Sequence, residues 1–312
     1  MLQAIHLLIT HGSRNVRSQQ SAEQLRSNIE SYLNLDQSQS HEEQGIEQPI
    51  EQRIEQRIEH AVLEGGTTSL HGQILYHAAR ARAEGLNRLQ LLPLFLTPGV
   101  HVMEDLPQEV ALAQKQLVDR DPSFKLSTLP YLGHQLQTHP QSIALAWGTG
   151  TEMAADEMAA GEMAAGEMAA GEVAKVAKIV LSHGSRQSDS TLLSEQFAAS
   201  IGATTAYWSI EPSLAQTVER LFTEGYEEIQ VLLYFLFPGG ITAAIEESIV
   251  ELRQSYPRLN LTCKSTLDQI SEFPKFIADV LQNTTFQNSS PQDINLQNRS
   301  VLPHSSYAEV NR

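Results

Sequence analysis

His6-Leu7-Leu8-Ile9-Thr10-His11-Gly12-Ser13-Arg14 and Lys178-Ile179-Val180-Leu181-Ser182-His183-Gly184-Ser185-Arg186 are two versions of one phrase, a short apolar run that ends on His-Gly-Ser-Arg. Such a run reads as a buried strand, and a tetrapeptide that recurs after the same kind of strand marks a duplicated unit. A second echo supports the duplication. Phe95-Leu96-Thr97-Pro98-Gly99 matches Phe235-Leu236-Phe237-Pro238-Gly239, but Val100-His101 follows the first copy and Gly240-Ile241 the second. Only the first half keeps the later histidine. The His-Gly-Ser-Arg copies stand 172 positions apart and the Phe-Leu-x-Pro-Gly copies 140, so the first half carries 32 extra residues, most of them between Ser13 and Ala61.

Outward from these phrases, short apolar runs alternate with helix-length amphipathic segments, the pattern of a parallel sheet covered by helices on both faces. In the first half the reading predicts strands at 6–10, 61–64, 89–95 and 125–129, with helices at about 15–35, 70–84, 100–120 and 135–147. The second half repeats it, with strands at 179–182, 204–208, 229–235 and 260–263 and helices at 188–201, 212–223, 241–256 and 267–281. The expected class is α/β, as two four-stranded α/β/α halves related by internal duplication. The halves span 1–147 and 176–282, a linker fills 148–175, and 283–312 form a disordered tail rich in Asn, Gln and Ser.

Two low-complexity tracts interrupt the pattern. Ile46, Ile50, Ile54 and Ile58 recur every four residues, each followed by glutamate. They would wind slowly round a helix instead of holding one stripe, so 36–60 is expected to be a helical or disordered insertion without chemistry. From 152 to 172 a Glu-Met-Ala-Ala-Gly pentad repeats; its methionines form no seam at 3.6 residues per turn, and the glycines weaken a helix.

The formal charge of −16 argues against a nucleic-acid surface, because phosphate contacts need clustered Lys and Arg. The linker and the insertion hold most of that charge, which leaves room for a locally basic pocket in the folded halves. A single cysteine, Cys263, excludes an internal disulfide and a cysteine-only zinc or iron–sulfur site within one chain. No basic, apolar leader opens the chain and no run reaches the roughly 18 apolar residues of a membrane span, so a cytoplasmic protein without membrane partners is expected. No Gly-x-x-x-x-Gly-Lys-Ser/Thr phosphate loop occurs, so no nucleotide is expected.

Parallel strands deliver their carboxyl ends to one edge of a sheet, where open α/β sheets bind ligands. His11, Glu64 and His101 each follow a strand of the first half, so side chains distant in sequence can converge there. Two imidazoles and a carboxylate suit Fe2+, Co2+, Ni2+ or Zn2+ with positions left open for a further ligand. Taken singly, each also reads as an ordinary surface residue or helix cap. Glu104 and Asp105 lie three and four residues after His101, on one helix face, where they either orient its imidazole or sit in solvent. Ser13 and Arg14 stand at a helix start that favours a carboxylate or phosphate, although the serine serves equally as a plain cap. Pro98 and Gly99 open the third helix and let backbone approach a flat ligand. In the second half Ser209 stands opposite Glu64 and Ile241 opposite His101. His183 and Arg186 are therefore assigned to a pocket wall and not to metal chemistry.

At these residues the chain resembles the sirohydrochlorin chelatases of the class II group, the CbiX/SirB type. The resemblance rests on 8–14, on Val62-Leu63-Glu64 and on the stretch 92–107, and it covers about 1–147 well and 176–281 in a worn form. It implies a flavodoxin-like, chelatase-like fold for each half and ATP-independent insertion of Co2+ or Fe2+ into sirohydrochlorin, toward cobalamin or sirohaem. It further implies that His11, His101 and Glu64 bind the metal and take up protons. The histidine-rich tract and cysteine cluster of some long members are missing, so no metal store and no iron–sulfur cluster is implied; the resemblance makes the divalent metal a substrate. The anionic tetrapyrrole requires Arg or backbone N–H partners, with Arg14 and Arg186 as candidates. Two pseudo-equivalent halves in one chain allow it to act as a monomer. Two other readings stand beside this one. A metal or tetrapyrrole carrier would use the same pocket without turnover, and a histidine phosphatase would need an arginine where Thr10 and Ser182 stand.

Overall fold

In the computed structural model, which describes residues 2–42, 55–139, 175–185 and 188–283, the apolar run of the first phrase is the middle of a longer strand, β1 (Leu2–Thr10). It is followed by α1 (Val16–Glu42), β2 (Glu55–Val62), α2 (Leu70–Ala83) and β3 (Arg88–Pro93). A turn at His101–Asp105, α3 (Leu106–Arg120), β4 (Lys125–Thr128) and α4 (Leu132–Thr138) complete the first series. The sheet is wholly parallel, in the order β2-β1-β3-β4. The second series runs β5 (Val176–Ser182), α5 (Ser188–Ser200), β6 (Thr204–Tyr207), α6 (Leu214–Thr223), β7 (Glu228–Leu233), α7 (Gly240–Ser255), β8 (Asn260–Cys263) and α8 (Phe273–Asn283). Its sheet, β6-β5-β7-β8, repeats the first. The α/β duplication expected from the echoed phrases is the fold.

The central strands are apolar because both faces are covered. Ile5, Leu7 and Ile9 of β1 and Leu89 and Leu91 of β3 form one core with Ile74, Ala78 and Ala81 of α2 and Leu106, Val110 and Leu117 of α3. On the remaining alternate positions of β1 and β3, Leu8 and Leu92 are also buried, as are Leu25, Ile29 and Leu33, four residues apart on α1, which lies against β2. The second core repeats this with Ile179, Leu181, Val231 and Leu233 against Val218, Leu221, Ile245 and Ile249.

The structure corrects the last part of the 36–60 reading. Helix α1 runs on to Glu42, and residues 55–60 belong to β2, where Ile58 pairs with His6 and is 0% exposed. The every-fourth isoleucine pattern concealed a strand because its helical spacing runs on through Ile58, which is tied to β1. Residues 43–54, the pentad linker and everything past Asn283 lie outside the described residues. Ile58→Ala is expected to lower the unfolding free energy by about 2–5 kcal/mol in urea titration, as for a buried side chain truncated to alanine. A change within about 0.5 kcal/mol would mark the position as exposed insertion instead.

Packing divides the chain into two units that do not coincide with the repeats. One is Met1–Gln135 joined by the described residues from Pro274 onward, the other Leu136–Phe273. Helix α8, last in the second series, therefore belongs with the first unit but for Phe273, and the C-terminal turn of α4 with the second, where Gln137 Nε2 donates to Gln196 Oε1 at 2.6 Å. The expected boundaries of 1–147 and 176–282 follow the repeats, and the packing units cross them within α4 and at the start of α8. No helix among the described residues is long and apolar enough to cross a membrane.

Several histidines are structural. His6 is 2% exposed in β1, with Gln90 at 2.8 Å and Gln56 at 3.0 Å from its two ring nitrogens. Burial lowers the proton affinity of His6, His60 and His134, and it pushes His77 down to about 4. An imidazole held below its ordinary value of 6.5 in the folded protein is protonated first in the unfolded chain. Stability is thus independent of these groups well above pH 6.5 and falls as the pH drops from there toward about 4. Urea midpoints measured from pH 7.5 to 4.5 should decrease through that window, and His77→Gln should flatten the decline.

Candidate metal centre

Because β1 lies between β2 and β3, the loops leaving these three strands emerge side by side. Ladder bonds continue past the strand ends: Leu63 N–H donates to Thr10 O, Glu64 N–H to His11 O, and Leu94 N–H to Ile9 O, at 2.9, 2.9 and 2.7 Å. The second of these fixes the backbone of Glu64 beside that of His11. Gly12 permits the approach. It has φ +99°, and a Cβ there would meet the Glu64 carbonyl oxygen at 2.0 Å.

The three side chains converge. His11 Nε2 lies 3.9 Å from Glu64 Oε2, His101 Nδ1 lies 3.8 Å from Glu64 Oε1, and the two imidazoles meet edge to face with centroids 4.5 Å apart. One donor atom from each residue falls within 4.8 Å of the others, the only such group of three among the described residues. Two donors about 2.1 Å from a shared ion stand at most about 4.2 Å apart, so the His11 Nε2–Glu64 Oε2 separation already suits coordination. All three side chains are 39–58% exposed, which leaves open positions on any ion they hold.

Hydrogen bonds set which ring nitrogen is available. His11 Nδ1 faces Gly12 O at 3.2 Å, so a proton there leaves the lone pair on Nε2, the atom nearest Glu64. His101 Nδ1 donates to Asp105 Oδ2 at 2.8 Å, which leaves Nε2 unprotonated. Asp105 is thus brought to the imidazole, whereas Glu104 is exposed and makes no such bond among the described residues.

His101–Asp105 is a π-helical turn, closed by Leu106 N–H on His101 O five residues back. Its counterpart in the second half lies in the uninterrupted helix α7. The apolar spacing shows why: buried Val102 and Leu106 are four apart where buried Thr242 and Ile245 are three, and beyond them both helices continue with a step of four, Val110 and Ile249. One residue is inserted at the histidine, and the π turn absorbs it while keeping the later apolar residues on the core.

The other candidate residues fall as follows. Ser13 Oγ accepts Asn15 N–H at 3.1 Å; Asn15, missed in the sequence, is the one whose side chain caps α1, through Arg17 N–H at 2.9 Å. Arg14 is exposed and unpaired among the described residues. Pro98 is buried, and Gly99 O accepts the N–H groups of Val102 and Met103. In the second half Ser209 N–H donates to His183 O at 2.9 Å, the counterpart of the Glu64–His11 bond, and Ser209 Oγ lies 3.4 Å from His183 Nδ1. The worn copy keeps the backbone frame but, among the described residues, has Ser209 and Ile241 where the first half has the carboxylate and the second imidazole. Arg186 lies outside the described residues.

A family model described as CbiX matches residues 6–139 and 177–284, well over half of the chain. The chain belongs to the CbiX family. Among solved structures, SirB from Bacillus subtilis with Fe3+ matches this CbiX-family chain with a TM-score of 0.56 at 15% identity, over 92% of this chain and 100% of that one. The sirohydrochlorin chelatase SirB from Bacillus subtilis subspecies spizizenii, in complex with cobalt, matches at 0.50 and 16% over the same shares. CbiX described as the terminal enzyme of sirohaem biosynthesis in denitrifying bacteria matches at 0.52 and 16%, over 91% and 100%. At these identities the likeness establishes the fold. No curated protein sequence matches the chain.

Proposed function

We propose that this chain is a chelatase that inserts Co2+ or Fe2+ into sirohydrochlorin without ATP, with the metal and the tetrapyrrole both as substrates. The observation that carries the reading is the convergence of His11, Glu64 and His101 within 4.8 Å at the open edge of the first sheet. Family membership and the solved chelatases that hold Fe3+ or cobalt add to it.

Metallation replaces two pyrrole N–H protons of the macrocycle by one dication. Two imidazole nitrogens and a carboxylate hold the ion at exposed positions, weakly enough to release it. As the macrocycle nitrogens take over coordination, the freed lone pairs of His11, His101 and Glu64 accept the departing protons. Asp105 holds His101 in the tautomer that presents Nε2, so Asp105→Asn is expected to weaken Co2+ binding about 10- to 100-fold in equilibrium titration. The guanidinium of Arg14, exposed and unpaired among the described residues and three positions after His11, suits a substrate carboxylate. Its replacement by alanine should raise KM for sirohydrochlorin more than it lowers kcat.

The test is insertion of Co2+, Fe2+ and Ni2+ one at a time into sirohydrochlorin, followed by absorbance of the macrocycle, with no nucleotide present. Acceleration over the spontaneous rate supports the proposal, and the preferred metal identifies the substrate. Tight binding of metal and tetrapyrrole with no acceleration would replace it by a carrier.

A further inference from the structure

Glu64 is exposed, sits in a loop after an edge strand and contributes the one carboxylate among the three convergent donors. Something must hold that loop. On its inner side Gly12 abuts the Glu64 carbonyl. On its outer side no further strand follows β2 among the described residues, so the N–H and C=O of Val62 that point away from β1 need partners. The side chain of Gln73, in the first turn of α2, supplies both. Its Oε1 accepts Val62 N–H at 3.0 Å, and its Nε2 donates to Val62 O at 2.8 Å. The amide thus stands in for a neighbouring strand. The same Nε2 also donates to Thr68 O at 3.1 Å, which ties the far end of the loop to the end of the strand. Gly66 passes beneath: a Cβ there would meet Val62 Cγ2 at 2.9 Å and Gln73 Nε2 at 3.1 Å.

The second half solves the same problem without a side chain. Tyr207, the counterpart of Val62, gives its N–H to the backbone oxygen of Pro212 at 2.9 Å, and the chain closes on itself as a one-bridge strand at Ser213. Five residues separate Tyr207 from the helix cap Ser213, against six between Val62 and the cap Ser69. The longer loop has no such backbone bridge among the described residues, and it is the loop that carries Glu64 in place of Ser209. A glutamine clamp appears where the extra residue and the acid appear.

We infer that Gln73 is a positioning residue, which acts through Glu64 by pinning both ends of the 63–68 loop so that the carboxylate stays within reach of His11 and His101. The inference rests on the proposed metal role of these three residues but not on chelatase turnover. It is tested on the full chain by titrating Co2+ alone and following the visible ligand-field bands of the bound ion, for wild type, Gln73→Ala, Glu64→Gln and the double variant. The expected result is about a 10-fold or greater loss of affinity for Gln73→Ala, and no further loss when it is added to Glu64→Gln. Unchanged affinity in Gln73→Ala would overturn the inference and leave the three-donor site intact. So would a loss that multiplies with that of Glu64→Gln. If Glu64→Gln itself binds Co2+ as wild type does, both the inference and the carboxylate's place in the site fall, whatever the insertion assay gives. Gln73→Met, which keeps the helix and the side-chain stem but has no amide, gives the same reading should the alanine variant unfold.

Discussion

His11→Ala and His101→Ala should each lower metal affinity, and with it the rate of metal insertion, by at least about 100-fold, since even outer-shell changes cost 10- to 100-fold. Each removes one of only two nitrogen donors in a set whose third member is a single carboxylate. Both side chains are substantially exposed, so truncation should leave stability within about 0.5 kcal/mol, and the loss is then one of chemistry and not of folding. Isothermal titration with Co2+ and the insertion assay measure the two effects separately. His183→Ala is the internal control. It alters the same tetrapeptide in the half where Ser209 and Ile241 replace the partners, and metal affinity should not change. Retained affinity in both of the first two variants would show that no ion is held between these rings.

The second large effect is expected from a residue with no side chain. Gly12→Ala forces a Cβ to 2.0 Å from the Glu64 carbonyl oxygen, in a backbone conformation that non-glycine residues avoid at a cost of about 1–2 kcal/mol. Relief requires the His11–Gly12 turn and the 63–64 backbone to separate, which breaks the Glu64 N–H to His11 O bond and moves two of the three donors apart. Gly12→Ala should therefore weaken Co2+ binding about as severely as loss of a ligand, and it should lower the urea midpoint as well. Gly65→Ala is the fitting comparison. Its φ is also positive, at +73°, but nothing lies within 4 Å of the added carbon, so it should cost stability and spare affinity more. Equal losses of affinity in the two variants would assign the effect to loop strain in general.

Much of the candidate site was legible because its residues sit in phrases that occur twice. The His-Gly-Ser-Arg echo located His11 and His183, and the Phe-Leu-x-Pro-Gly echo set His101 against Ile241. The facing of Glu64 by Ser209 rests on a looser match, of 206–209 with 61–64, and reappears as matching backbone bonds to His11 and His183. The π turn was encoded too, as the one-residue difference between Val102–Leu106 and Thr242–Ile245, but it is recognisable only once burial shows which residues are equivalent. What misled was low complexity. The isoleucine repeat of 46–58 has helical spacing, and nothing local separates Ile58, which pairs with His6 in the core, from the others of its series.

The sequence by itself determined the alternation of strand and helix outside the 36–60 tract, the duplication and the three candidate donor residues, because the central parallel strands are largely apolar and a repeated phrase carries its own register. The tertiary structure alone decided how those donors meet. That rests on β1 lying between β2 and β3, on a glycine that lets two loops touch, and on an amide on α2 that stands in for an absent strand. Each of these is a relation between segments far apart in the chain, fixed by sheet order and close packing, and no local pattern of residues records it.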